Sequence, residues 1–199
     1  QGVAQRFREM HPGATVRVVS GETFLNEFIS AVRHGGGSGM TGHSRSVAGA
    51  GGIERFRRQY RRCDLLCIDD VHFLASKQAT QQELLHTFDQ ISQSGARLVL
   101  ACDRHPREMK SGDGGFSPAL VSRFLSGMVA GIDAPDASIR EQAARMFACR
   151  RDLTLDPAAL RLLVDRTRTL PGQTPVSVRD LEGLVTRLEA VHRLHASSG

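Results

Sequence analysis

The stretch LLCIDDVHF at residues 65–73 decides the fold class of this chain. It begins as a continuous apolar run and ends in two adjacent carboxylates, Asp69 and Asp70. Such a run is typical of a central parallel strand that is buried on both faces. The segment RLVLACD at 97–103 repeats the pattern, and a helical periodicity over 78–94 separates the two segments. Strands that alternate with helices predict a doubly wound α/β sheet, whose ligands bind at the carboxyl ends of the strands.

Further elements extend this pattern in both directions along the chain. The segment VRVV at 16–19 predicts a short strand, and Ser20 is expected to cap a helix over 22–32. A second helix is predicted over 53–62, with its apolar side chains on one face and several arginines on the other. Another strand is predicted over 128–132. These elements complete a parallel sheet flanked by helices.

The periodicity divides the chain into two domains. From residue 134 onward the pattern is helical, with prolines marking the turns. Helices are predicted there over 138–150, 157–168 and 177–195. We therefore expect an α/β core over 1–133 and a small α-helical domain over 134–199. The Gly- and Ser-rich run over 34–52 predicts a flexible insertion in the core, since its residues cannot bury apolar surface.

Composition narrows the class of protein and its partners. The chain has 199 residues, of which 40% are hydrophobic and 24% charged, and this argues against wholesale disorder. Residues 1–62 carry ten arginines and four acidic residues, whereas residues 63–199 are nearly neutral. A basic first third favours contact with phosphate, in nucleic acid or in nucleotide. The four cysteines form no CxxC pair, which favours a reducing, cytoplasmic setting without disulfides.

The paired carboxylates are the strongest local sign of chemistry. A buried strand that delivers Asp69 and Asp70 to a sheet edge is the Walker B arrangement. Asp69 is expected to hold Mg²⁺ through water, and Asp70 to orient or deprotonate the attacking water. The alternative is that the two residues only cap the following turn. Asp103, which ends the neighbouring strand, is expected beside them as a nucleotide-sensing group, although Asp-Arg after a strand is also an ordinary turn.

No phosphate-binding loop of the Walker A type, Gly-x-x-x-x-Gly-Lys-Ser/Thr, stands in this sequence. The chain also begins with Gln1 rather than Met, so we expect it to start inside a longer protein. Two arginines are candidates for phosphate contact from other elements. Arg123 lies in the sequence SRF, where the alternative is a solvated surface residue. Arg179 opens a helix, where the alternative to a phosphate contact is a pair with Glu182.

Several segments together resemble the bacterial DnaA family of chromosomal replication initiators, which are AAA+ ATPases. The blocks follow in the family's order, and the match runs from about residue 2 to about residue 195, apart from the Gly-rich insertion. They are VRVVSGETFLNEFISAV at 16–32, IERFRRQYRRCDLLCIDDVHFLASKQATQQELLHTFDQI at 53–91, LVLACDRHP at 98–106, LVSRF at 120–124 and SVRDLEGLVTRLEA at 177–190. The resemblance implies an AAA+ core, here without its Walker A region, followed by an α-helical lid.

The resemblance also implies roles for particular residues of the ATPase site. Asp69 and Asp70 match the Walker B pair, and Asp103 matches the first sensor. Arg123 matches the arginine finger, which reaches the ATP of a neighbouring subunit. Arg179 matches the second sensor, in the lid. The implied cofactors are ATP or ADP and Mg²⁺.

Other positions match the family's surface for single-stranded DNA. Ile29 falls on an apolar DNA-contacting position, and Lys77 falls on a nearby basic one. The basic helix, with Arg57 and Arg58, either holds the DNA backbone or is only a solvated face. The implied function is ATP-dependent initiation of replication, with binding of double- and single-stranded origin DNA and assembly into an oligomer or filament. The replicative helicase and acidic phospholipids are further implied partners, in the cytoplasm.

Two departures from the family's pattern affect these expectations. Ala79 replaces a second basic DNA-contacting residue, and Ala119 replaces an arginine that supports the finger. One alternative is a DnaA-like AAA+ regulator or helicase-loader paralogue without the origin-reading domain. Another is a DNA-binding module that keeps the fold without turnover, against which the presence of Asp70 and Arg123 argues.

Overall fold

The structure is a computed structural model that describes residues 2–35, 48–109, 114–167 and 176–197. It divides into two compact units, Gln1–Ala130 and Gly131–Gly199. Each unit has its own hydrophobic core. Within the described ranges, no helix is both long and apolar enough to cross a membrane.

Among the described residues, a parallel sheet of three strands forms the centre of the first unit. The strands are β1 (Val16–Ser20), β2 (Leu65–Asp69) and β3 (Arg97–Leu100), in the spatial order β1-β2-β3. The register places Ser20 opposite Asp69, so β1 and β2 end at the same level. The strands predicted over 16–19, 65–69 and 97–103 are confirmed, the last over a shorter range, together with the parallel arrangement.

Helices cover this sheet. They are α1 (Gly2–Met10), α2 (Gly21–Gly35), α3 (Ala48–Arg61), α4 (Gln78–Ser94) and α5 (Pro118–Leu125), with short 3₁₀ helices at Val71–Leu74 and Pro106–Glu108. Packing of aromatic side chains joins α2 to α3: the ring of Phe24 meets those of Phe56 and Tyr60 edge-on, with centroids 5.2 and 4.8 Å away. All three rings are buried, and with Leu66 and Ile68 of β2 they form the centre of the core.

The predicted insertion over 34–52 was drawn too long. Helix α2 continues to Gly35 and α3 already begins at Ala48, while residues 36–47 lie outside the described part of the chain. Gly52 shows why its type suits a helix here: a Cβ added to it would lie 2.7 Å from the backbone oxygen of Ala31 on α2. A glycine that looks like part of a loop in the sequence therefore permits close packing of two helices.

The strand predicted over 128–132 is wrong, because the structure shows no regular secondary structure there. Met128 and Ile132 are almost fully exposed. An apolar segment becomes a strand only when a partner strand satisfies its backbone groups. Strand β3 is also shorter than predicted: it ends at Leu100, although the amide of Ala101 still donates to the carbonyl of Ile68 at 2.9 Å.

The second unit contains α6 (Ala137–Cys149), α7 (Pro157–Arg166) and α8 (Val178–Ser197), close to the three predicted helices. Asp136 and Asp156 cap the first two helices by accepting backbone amide hydrogen bonds of 2.7–2.8 Å. Ala144, Leu160, Leu181 and other buried side chains fill its core. The predicted turn over 170–175 lies outside the described residues.

Candidate functional site

The carboxyl end of β2 forms a sharp corner that presents two carboxylates. Asp69 is the last residue of the strand, and Asp70 has the left-handed conformation, with φ 52° and ψ 47°. Two backbone donors fix the corner: the amide of Asp70 donates to Oδ1 of Asp69 at 3.0 Å, and the amide of Val71 donates to the carbonyl of Ala101 at 2.9 Å. The carboxylate of Asp70 makes no capping hydrogen bond to the following 3₁₀ helix, so capping does not explain it.

Gly21, at the start of α2, holds the other side of this corner. A Cβ at Gly21 would lie 2.6 Å from the carbonyl oxygen of Asp70 and 3.3 Å from the Cα of Val71. Only a residue without a side chain lets α2 begin this close to the end of β2. The turn from β1 into α2 and the carboxylate corner therefore depend on each other.

The structure brings Asp70 and Asp103 close to the same imidazole nitrogen. Nδ1 of His72 lies 3.7 Å from Oδ1 of Asp103 and 4.0 Å from Oδ1 of Asp70. That nitrogen is buried and has no hydrogen-bond partner among the described residues. Sequence reasoning assigned no chemistry to His72; its position two residues after the paired carboxylates was the available signal.

Arg104 keeps the Asp103 carboxylate ionised. Its guanidinium binds both carboxylate oxygens, with Nε to Oδ1 at 3.0 Å and Nη2 to Oδ2 at 2.7 Å. These hydrogen bonds hold the pKa of Asp103 below its usual value. Asp103 thus has the local Asp-Arg pairing expected of a turn and also lies 3.7 Å from Nδ1 of His72, which follows the carboxylate corner.

The donor chemistry of this edge fits Mg²⁺. Asp69, Asp70 and Asp103 supply carboxylate oxygens, which are hard ligands, and Mg²⁺ in nucleotide sites takes one or two carboxylates besides water and phosphate. Within the described ranges, no group of three His, Cys, Asp or Glu side chains is arranged to hold a metal ion by itself. Such a site is therefore compatible with Asp69 as a ligand through water, but not with an all-protein cage.

Arg123 lies in the last turn of α5 and contacts α4. Its Nη2 is 3.0 Å from Oδ1 of Asp89, and both side chains are partly exposed. Ser117 caps α5 by accepting the amide hydrogen bond of Leu120 at 3.4 Å, and Pro118 occupies the first turn. The predicted finger residue is thus held on the surface of its own unit by an ion pair that the sequence did not predict.

Arg179 belongs to the second unit, where it is exposed in the first turn of α8. Ser177 and Asp180 cap that helix reciprocally: each accepts a hydrogen bond from the backbone amide of the other, at 3.1 and 2.9 Å. Glu182, which the sequence offered as an ion-pair partner for Arg179, instead binds Arg151 at 3.1 Å.

Ile29 and Lys77, two of the residues predicted to contact DNA, lie on neighbouring segments. Ile29 is 36% exposed on α2, and Val32, one turn further, is 51% exposed. Helix α2 packs against the 3₁₀ helix Val71–Leu74, and exposed Lys77 follows that helix. An apolar helix face and a basic side chain therefore belong to neighbouring segments.

The basic helix α3 is partly neutralised. Glu83 is buried and binds two of its arginines, Arg57 at 3.2 Å and Arg61 at 2.7 Å. Arg57 also contacts Glu54 at 3.4 Å. Arg58 is exposed on the same helix. The sequence did not predict Glu83 as a partner of these arginines, since no local pattern indicates a contact between residues that lie 22 and 26 positions apart on separate helices.

Comparisons with known proteins agree on one family. A family model described as the bacterial DnaA ATPase domain matches residues 1–131. The chain is 32% identical over 189 residues to the chromosomal replication initiator protein DnaA of Kosmotoga olearia, covering 94% of this chain. It spans 36% of that relative's length.

Two solved structures have the same fold. Domain III of the Thermotoga maritima replication initiation protein DnaA is 26% identical with a TM-score of 0.80, over 98% of this chain and 71% of that one. A replication initiator DnaA bound to AMPPCP and single-stranded DNA is 25% identical with a TM-score of 0.72, over 98% and 53% of the two chains. The parallel sheet and its helices therefore follow the fold of DnaA domain III.

Proposed function

The chain belongs to the bacterial DnaA ATPase-domain family, and we propose that it serves an ATP-dependent initiator of chromosomal replication. Its AAA+ fold is the one expected from the sequence. Because the chain spans 36% of the curated relative, the activity belongs to the intact protein that carries it. In that protein we assign residues 1–133 to the ATPase core and residues 134–199 to the lid.

The observation that carries this proposal is the carboxylate corner at the end of β2. Asp70 leaves the strand in a left-handed conformation and makes no capping bond, and Nδ1 of His72 lies within 4.0 Å of both its carboxylate and that of Asp103. Backbone strain at a polar residue without a local structural role is a recognised sign of a functional site. The neighbouring sheet edge is where α/β proteins bind their ligands.

The residues at this corner divide the work of hydrolysis between them. Asp69 holds Mg²⁺ through water, and the ion neutralises charge on the phosphates when it is bound. Asp70 orients the attacking water and accepts its proton. Asp103, kept ionised by Arg104, reads the state of the nucleotide through a polar contact.

Two arginines complete the site from elsewhere. Arg123 is proposed to meet the ATP of a neighbouring subunit, as a guanidinium suits the charge of a transferring phosphoryl group. Its exposure on α5 leaves it accessible to a second copy. Arg179, exposed at the start of α8, is proposed as the sensor of the lid.

Single-stranded DNA is the proposed nucleic-acid ligand of the α2 face. The DnaA structure that resembles this chain holds such a strand and AMPPCP. Ile29 offers an apolar contact for a base or sugar, and Lys77 offers a charge for the backbone. On α3 we favour Arg58 over Arg57, because Glu83 and Glu54 already engage Arg57. Duplex origin DNA, the replicative helicase, acidic phospholipids and a cytoplasmic location stay predictions.

Arg123→Ala in the intact protein tests the proposal. Each monomer should still bind ATP, because its own site lacks that residue's contribution. ATP-dependent assembly on DNA should be lost. Mixing this variant with Asp70→Asn should partly restore assembly, since one subunit supplies the finger and the other supplies the ATP. Weakened ATP binding by the isolated Arg123→Ala monomer would contradict a role across the subunit boundary.

A further inference from the structure

We propose that Asp89 is a positioning residue that holds Arg123 within its own subunit and competes with the phosphate of a neighbour. The inference rests on the proposed function of Arg123. It adds a threshold to assembly, because an arginine that is already paired must exchange one anion for another. The observation is the 3.0 Å contact between Arg123 Nη2 and Asp89 Oδ1.

The backbone around this pair is fixed independently of it. The side chain of Gln81 on α4 donates to the carbonyls of Leu74 and Gly115, at 3.0 and 3.1 Å, and accepts from the amide of Ser117 at 2.8 Å. These bonds tie the start of α5 to α4. Leu120, a residue of α5, is fully buried. The ion pair can therefore open by side-chain rotation without moving either helix.

Other charges near Asp89 leave Arg123 as its partner. An open cleft of about 420 Å³ is lined by Arg57, Arg61, His86, Asp89, Gln90 and Gln93. Glu83, which is buried between the two cleft arginines, binds both of them. Asp89 is therefore not needed to neutralise α3, and its described ion pair is the one with Arg123.

The geometry of the pair suits exchange. One terminal nitrogen of Arg123 contacts one oxygen of Asp89, and a guanidinium carries five N–H donors in all. Further donors thus remain for a second anion. The side chains are 49% and 34% exposed, so water screens the pair and makes it weak. A phosphate can displace the Asp89 carboxylate from Arg123. Until the phosphate does so, the negative charge of Asp89 repels it.

The test is Asp89→Asn in the intact protein, because asparagine keeps the shape and an acceptor oxygen while removing the charge. The midpoint protein concentration for ATP-dependent assembly on single-stranded DNA should fall roughly two- to five-fold, as expected for a partly exposed ion pair. The gain should shrink as salt rises, since ions screen the repulsion that Asp89 supplies. ATP binding by the monomer should not change.

Matched variants separate this inference from simpler effects. Glu141→Gln removes one negative charge from an exposed pair with Arg145 on α6, and it should leave assembly unchanged. The double variant Asp89→Asn with Arg123→Ala should assemble no better than Arg123→Ala alone, because the gain acts through Arg123.

The results also separate the inference from the proposed function. An unchanged or raised midpoint for Asp89→Asn overturns the inference while leaving the finger in place, and so does an equal gain in the Arg123→Ala background. If Arg123→Ala itself assembles normally with ATP, the proposed role of Arg123 fails, and the inference fails with it.

Discussion

Replacing Gly21 with alanine tests whether α2 and the carboxylate corner depend on each other. The added Cβ would lie 2.6 Å from the Asp70 carbonyl oxygen, whereas ordinary contact begins at 3.4 Å. Since its three nearest atoms are all backbone, no side-chain rotation relieves the clash. Either α2 must retreat or the corner must shift by several tenths of an ångström.

The expected change in the free energy of unfolding on replacing Gly21 with alanine combines two opposing effects. Overpacking of this kind destabilises a protein by about 1–3 kcal/mol. A glycine-to-alanine change in a helix ordinarily stabilises it by up to about 1 kcal/mol. The effect of overpacking should be the larger of the two, so the free energy of unfolding should fall by about 1–2 kcal/mol and the Tm by roughly 3–6 °C. ATP turnover by the intact protein should fall about ten- to hundred-fold, because a shift of several tenths of an ångström would misplace the carboxylate of Asp70, which we propose orients the attacking water.

Gly51→Ala is the matched control for this change. Gly51 lies in α3, and a Cβ there meets nothing within 4 Å. Its replacement should raise stability by about 0.5–1 kcal/mol and leave turnover unaffected. Thermal unfolding by circular dichroism and steady-state ATP hydrolysis compare the two variants. The reasoning is refuted if Gly21→Ala is as stable and as active as the wild type.

Three further outcomes follow from the contacts. Glu83→Ala should lower the free energy of unfolding by about 3 kcal/mol in chemical denaturation, since it leaves two arginines beside a buried gap. Glu54→Ala, which removes an exposed carboxylate, should lower it by under about 0.5 kcal/mol. Equal losses for the two variants would contradict the burial argument. Burial raises the pKa of Tyr60 to about 12, above the ordinary value of 10.0, so its contribution to stability is complete below pH 10 and is lost as the pH rises towards 12. Tyr60 is the single tyrosine of the chain, so tyrosinate absorbance of the folded 199-residue chain should titrate near 12, and a midpoint near 10 would contradict its burial. Arg58→Glu should weaken single-strand binding and flatten its salt dependence, whereas Arg187→Glu on α8 should not; an unchanged slope for Arg58→Glu would make α3 a solvated face.

Local patterns in the sequence predicted the elements that carry the site. The strand Leu65–Asp69 and the helix Gln78–Ser94 have the bounds expected from their apolar runs. These elements are set by burial on two faces and by helical periodicity, both of which are visible within a short window. The positions of Asp69 and Asp70 at the end of a strand follow from the same information.

Local sequence patterns did not predict the contacts between segments that are distant along the chain. Gly52 lies in α3 at a point where a Cβ would clash with the backbone of Ala31 on α2, and residues 128–132 form no strand although they are apolar. Asp89 and Glu83 find their arginine partners across separate helices. These pairings depend on tertiary packing, which overrides the local preference of any one segment.

The most direct test of the central claim is the separation of ATP binding from ATP hydrolysis in the Asp70→Asn variant of the intact protein. If Asp70 orients and deprotonates the attacking water, ATP affinity should stay near the wild-type value while single-turnover hydrolysis falls at least about hundred-fold. Asp165→Asn, an exposed change on α7, should alter neither quantity. Wild-type hydrolysis by Asp70→Asn, or a loss of ATP binding equal to the loss of turnover, would contradict the assignment of this corner as the hydrolytic site.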